Sequence, residues 1–178
     1  MISFSCLRFV PLVLALFIVA AISTPAQAGD KGPGLIGTFG DWSAYSMQDG
    51  GKKVCYILST PKKAQGAYKK RGEIFALVTH RPEEGSRNVF SYMAGYAYKS
   101  DSQVTLKIDS QTFALFTHND TAWAPDSATD TRISDALKKG SSLTIKGMSS
   151  KGTETVDSFG LKGTTAAFSA IDKACPAK

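Results

Sequence analysis

Ser59-Thr60-Pro61-Lys62 carries the spacing of a serine–lysine nucleophile, in which a lysine three residues on takes the proton of the serine hydroxyl. That chemistry needs a helix starting at the serine, so that the lysine one turn later lies beside it. Here the serine closes the apolar run "KVCYILS" and Pro61 opens a basic loop, and the partner signatures S-D-N and K-T-G are both missing. His80 and His118 follow strand-like runs, the first before Arg81-Pro82 and the second before Asn119-Asp120, and both are expected at exposed strand ends rather than as catalytic bases. A Ser-His-Asp triad would have to be assembled around Ser59 or His118 by the fold alone, because no G-x-S-x-G elbow is present. Two histidines among scattered acids make no metal-ligand spacing. The expectation is a protein that is not an enzyme, with no metal and no cofactor.

The cysteines point to structure instead of catalysis. Cys6 lies in a stretch with Arg8 at its positive end, an apolar run from Val10 to Ile22, and the small-x-small triplet Ala26-Gln27-Ala28. This reads as a signal peptide over residues 1–28, the run being short for an uncleaved anchor helix, which needs about 20 apolar residues. No cysteine stands directly after the small residues at the cleavage point, which argues against a lipoprotein anchor. Export and removal of Cys6 leave Cys55 and Cys175, and two cysteines in an oxidising compartment are expected to pair, with free buried thiols or reactive thiols as the alternatives. Residues 29–178 then form one domain, large enough to bury a core without metals or dense cross-links. Loss of Arg8 takes the formal charge from +6 to +5, mildly basic and too modest for a nucleic-acid binder.

The cations gather at turns, as Lys52-Lys53, Lys62-Lys63, Lys69-Lys70-Arg71 and Lys138-Lys139. The loop from Lys62 to Arg71 holds Lys62, Lys63, Tyr68, Lys69, Lys70 and Arg71, and these six are the candidate partner-binding residues. Such a surface suits anionic lipid headgroups, lipopolysaccharide phosphates or acidic polysaccharide. The plain alternative is solvated loop lysines that keep the protein soluble.

Short alternating runs must position these groups. "IGTFGDWSAYS", "KVCYILS", "EIFALVTH" and "NVFSYMAGYAYKS" read as strands, "QVTLKID" and "QTFALFTHN" as a hairpin turning at Asp109-Ser110, and "SSLTIKGMS" with "TETVDSFGL" as another turning near "SKG". The aromatics, among them Trp42, Trp123, Phe113 and Phe116, are expected mostly in the core. Two segments have helical spacing. "DTRISDALKKG" would be capped by Asp130 or Thr131 and stopped at Gly140, and "TTAAFSAIDKACP" puts Ala167, Phe168, Ile171 and Cys175 on one stripe. Eight to ten short strands without strand–helix alternation imply a mainly β fold, a single-domain antiparallel β-sandwich or small barrel with two short helices.

In their order and spacing, "FGDW", "KVCYILSTPKK", "RGEIFALVTHRP", "GYAYKSDSQVTLKIDSQTFALF", "AW", "DALKKGSSLTIKGMSSKGTETVDSFGLKG" and the terminal cysteine resemble the invasion-associated locus B family of exported bacterial proteins. The likeness runs from Phe39 to Cys175, and rests on the whole set and not on one motif. It implies a β-rich periplasmic or surface-associated protein, linked in pathogens to host-cell entry, and supplies no active-site residues. Many members carry a first cysteine shortly after G-D-W that pairs locally, and here Ser46 stands near that place. The resemblance thus implies an exported, non-enzymatic envelope or surface protein with an unidentified envelope or host-surface partner: protein, polysaccharide or anionic lipid. The alternative is a periplasmic carrier of a small apolar or lipid ligand.

Overall fold

The computed structural model describes residues 32–177; the expected signal peptide and its cleavage site fall outside them. Eleven strands follow in chain order: β1 (Gly34–Phe39), β2 (Trp42–Asp49), β3 (Lys52–Ser59), β4 (Lys63–Gly66), β5 (Phe75–Arg81), β6 (Ser86–Met93), β7 (Gln103–Ile108), β8 (Gln111–His118), β9 (Thr121–Trp123), β10 (Ser142–Met148) and β11 (Glu154–Gly160). Helix α1 (Ser127–Lys139) sits between β9 and β10, and α2 (Thr164–Ala174) follows β11. The apolar period of two is what makes the strands. In β7, Val104, Leu106 and Ile108 are buried while Gln103, Thr105 and Lys107 are exposed, and one turn of the chain at Asp109-Ser110 returns it as β8.

All strands pair antiparallel in one sheet, in the order β1-β2-β3-β5-β6-β9-β8-β7-β10-β11-β4. The sheet curls so that its two halves face each other. The Trp42 indole on β2 donates to the Gly160 carbonyl on β11 at 3.1 Å, and the Asp41 amide donates to the Lys162 carbonyl at 2.9 Å. Trp42, Ile57, Val78 and Phe90 of one half meet Leu106, Leu115, Leu143 and Ile145 of the other in a single core. The arrangement is mainly β and sandwich-like, as expected, and it is not a closed barrel, since β1 and β4 remain as unpaired edges. Two aromatics depart from the expected core. Phe116 is 49% exposed and Trp123, its partner across β8–β9, is only half-buried.

The helices cover the first half of the sheet and the seam. The start of α1 lies one turn before the expected cap: Asp126 caps it, accepting the Thr129 amide at 2.7 Å. Asp130 is instead buried and accepts the Phe90 amide at 2.8 Å, so it joins helix to sheet, and burial raises its pKa. Helix α2 buries Ala167, Phe168 and Ile171 and ends at Cys175, which is bonded to Cys55 on β3. The two Cα atoms lie 6.0 Å apart, across 120 residues of sequence. The expected pairing is thus present, and Ser46 is the residue directly opposite Cys55 on β2.

His80 corrects the sequence reading. It is fully buried, because β5 continues through it to Arg81 and its side chain falls on the same face as Ala76 and Val78. His118 is exposed, as expected.

Candidate functional site

The topology explains where the basic loop runs. Strand β3 pairs with β5 in the first half of the sheet, yet β4, which lies between them in sequence, pairs with β11 at the far edge of the second half. Residues 67–74 must therefore cross back from one half to the other. The crossing is fixed where two glycine backbones meet: the Gly72 amide donates to the Gly95 carbonyl at 2.8 Å. Gly95 has φ +72°, and a Cβ there would lie 2.5 Å from the Gly72 oxygen, so no side chain fits.

This approach drives Arg71 inward, against the expectation of a surface cation. Its side chain is 3% exposed and that of Asp157 is 0% exposed. The guanidinium donates from Nη1 to Asp157 Oδ1 at 2.8 Å and from Nη2 to Oδ2 at 2.5 Å. It donates further to the Ala94 carbonyl at 2.6 Å and to the Tyr92 hydroxyl at 3.0 Å, and the Tyr92 hydroxyl itself donates to Asp157. One planar fork thus joins the crossing loop to β6 and β11, the bidentate geometry that a lysine could not provide. Burial opposes the charge on Arg71, but the bond to Asp157 outweighs it and its pKa is raised. Burial and the charge of Asp157 push the Tyr92 pKa up as well. The guanidinium stands 5.2 Å from the centroid of the Tyr68 ring and 4.9 Å from that of Tyr96, and the Tyr96 hydroxyl is bonded to Thr155 Oγ1 at 2.6 Å.

Around this clamp lies a cleft of about 530 Å³, partly open to solvent. Tyr68, Tyr96 and Arg71 line it together with Lys69 and Lys70 from the crossing loop. The opposite wall is the β10–β11 turn, which contributes Ser149, Ser150, Lys151 and Thr153. Lys69, Lys70 and Lys151 are exposed and form no ion pair among the described residues, whereas the nearby Asp157 is fully engaged by Arg71. Of the six residues singled out in the sequence, Tyr68, Lys69, Lys70 and Arg71 come together here. Lys62 and Lys63 do not: Lys62 pairs with Asp41 at 2.6 Å, and Lys63 stands on the edge strand β4 opposite Ser158.

Sequence reasoning missed Tyr96, Lys151 and Asp157. Asp157 left a readable trace, since it occupies an inward position of β11 between Thr155 and Phe159, where an unpaired acid could not stand. Tyr96 and Lys151 left none, because their place at the cleft depends on the curl of the sheet.

Of the residues weighed for catalysis, Ser59, Lys62 and His80 are engaged elsewhere, and His118 is exposed. Ser59 Oγ donates to the Asp41 carbonyl at 2.7 Å, and Lys62 is held by the Asp41 carboxylate. His80 accepts the Asn88 amide on Nδ1 at 3.1 Å and faces Asp172 with Nε2 at 3.0 Å, so both ring nitrogens are occupied. Burial first, and then the charge of Arg87, lower its pKa. Among the described residues no helix is long and apolar enough to cross a membrane.

No curated protein matches this chain. Among solved structures, the crystal structure of invasion associated protein B from Bartonella henselae is similar, with a TM-score of 0.54 over 78% of this chain and 95% of that one. At 15% identity that likeness speaks for the fold. The model of the invasion associated locus B protein family matches residues 42–172, from the Trp42 of β2 to the Asp172 of α2, and the chain belongs to that family.

Proposed function

We propose that this protein is exported to the bacterial periplasm or cell surface, where it works without catalysis by holding an anionic envelope or host-surface partner, and so contributes to host-cell association. The observation that carries the reading is the set of three cations, Lys69, Lys70 and Lys151, left without ion pairs among the described residues beside a rigid cleft. A protein folding for stability alone would gain nothing from crowding like charges there. A positive rim over low-dielectric walls raises the local concentration of anionic partners and speeds their encounter. Membership of a family named for invasion agrees with a surface role.

The test compares two triple variants of equal charge change. Lys69→Glu/Lys70→Glu/Lys151→Glu should lose about tenfold or more in binding to isolated envelopes and to host cells. Lys107→Glu/Lys139→Glu/Lys173→Glu, which alters exposed lysines elsewhere, should bind as the unmodified protein does. Equal binding by both variants would reject the cleft as the contact.

A further inference from the structure

We infer that the cleft between the crossing loop and the β10–β11 turn is a binding site for an acidic carbohydrate, a uronate or sulfated sugar chain, an assignment that rests on the partner-binding reading above and names its ligand class. Three kinds of group converge there, and a sugar acid needs all three. The aromatic rings of Tyr68 and Tyr96 line the cleft, and the electron-rich face of such a ring packs against the C–H face of a pyranose. Ser149, Ser150 and Thr153 supply hydroxyls that can donate to or accept from ring hydroxyls. Lys69, Lys70 and Lys151 supply point charges for carboxylate or sulfate oxygens.

The walls are fixed before any ligand arrives. Arg71 stands against both tyrosine rings and is itself held by Asp157, Tyr92 and the Ala94 carbonyl, while the Tyr96 hydroxyl is tied to Thr155. A site whose side chains are already ordered loses less entropy on binding.

Other anionic partners fit less well. A lipid surface calls for apolar side chains beside the cations, to enter the headgroup boundary. Among the described residues, the large apolar side chains that are exposed, Leu35, Ile36 and Phe116, lie on β1 and β8 and do not line the cleft. A folded protein partner would need a contact of about 800 Å² on each side. A concave site of about 530 Å³ matches a short oligomer instead.

Calorimetric titration of the purified, oxidised protein can separate these chemistries with four probes. They are an oligogalacturonate, its methyl ester of the same length, an oligoaspartate of the same charge, and vesicles containing phosphatidylglycerol. The oligogalacturonate should bind at least about tenfold tighter than its ester, through the lost charge, and about fivefold tighter than the oligoaspartate, through the lost rings. Lys69→Glu/Lys70→Glu/Lys151→Glu should remove that binding, and Tyr68→Ala should weaken it about fivefold with its salt dependence unchanged. Equal binding of the oligoaspartate or an indifferent Tyr68→Ala would overturn the carbohydrate assignment while leaving a cationic partner site in place, and equal binding of the ester would overturn the acidic ligand and with it the role of the three lysines. Vesicle binding that the triple variant abolishes, without oligogalacturonate binding, would overturn it in favour of lipid. Loss of the broader reading has its own signature, the triple variant binding envelopes and cells as well as the unmodified protein.

Discussion

The hairpin of β5 and β6 is closed off by a different device at each end. At its turn, the disulfide from Cys55 to Cys175 binds α2 to β3. His80 and Arg87 both reach Asp172 there, and Arg87 also donates to the Cys175 carbonyl at 2.7 Å. At its open end, Arg71 and Asp157 join the crossing loop to both halves of the sheet without any covalent bond. The first end is sealed by a helix laid over it, and the second carries a cleft with free cations on its rim. A disulfide constrains mainly the unfolded chain and asks little of the surrounding side chains. A buried ion pair demands a fixed constellation of partners, and that constellation also fixes the cleft walls. On the function proposed above, one end serves stability alone, while the other serves binding as well.

Reduction should produce the largest effect. A cross-link spanning 120 residues is worth about 4–5 kcal/mol in the chain-entropy model, so reduced protein, or Cys55→Ser/Cys175→Ser, should show an unfolding free energy lower by that amount in chemical denaturation. Where the reduced protein is still folded, its cleft should bind as before. Weaker ligand binding by folded, reduced protein would erase the distinction between the two ends.

Asp157→Asn comes next. It leaves the Arg71 guanidinium buried without its counter-charge and should cost about 3–5 kcal/mol, read from chemical denaturation. Replacing both partners, as Arg71→Met/Asp157→Leu, should recover part of that stability, since the charges are gone while the Tyr92 hydroxyl is left without a partner. Binding at the cleft should not recover with it, because the clamp behind Tyr68 and Tyr96 is gone. A double variant that regains both stability and binding would show the ion pair to be structural filler.

The smallest effect belongs to His80. Burial holds its pKa in the folded protein below the ordinary value, so between the two values the unfolded chain binds the extra proton and the folded one does not. Stability from this group is therefore complete above about pH 6.5 and declines as the pH falls below it. Protonation would also convert Nδ1 from acceptor to donor against the Asn88 amide. Denaturation midpoints should fall between pH 7.5 and 5.5, and more steeply in the unmodified protein than in His80→Asn. Identical slopes would remove His80 as the source.

What the sequence made legible follows from how local each signal is. Alternation in "QVTLKID" and "TETVDSFGL" is a property of adjacent residues, and both strands are where that pattern puts them. The cysteine pair was readable despite its span, because setting Cys6 aside with the expected signal peptide left a single combination. The start of α1 was misplaced by a turn because Asp126 and Asp130 are equally good caps in sequence, and only the docking of β6 decides which of them faces the helix end. His80 looked like a strand terminus because Pro82 follows so closely, yet the strand persists one residue beyond it. The cleft was half legible. The run of cations in the loop marked one wall, but Arg71 and Asp157 lie 86 residues apart, and neither carries any sign of the other in its neighbours.

Mapping the ligand contact by nuclear magnetic resonance tests the division of labour most directly. In a titration of the labelled protein with oligogalacturonate, amide shifts should move at Tyr68–Gly72, Gly95–Ala97 and Ser149–Thr155, while those of α2 and around Cys55 stay in place. Shifts concentrated on α2 or β1, or none anywhere, would contradict the account.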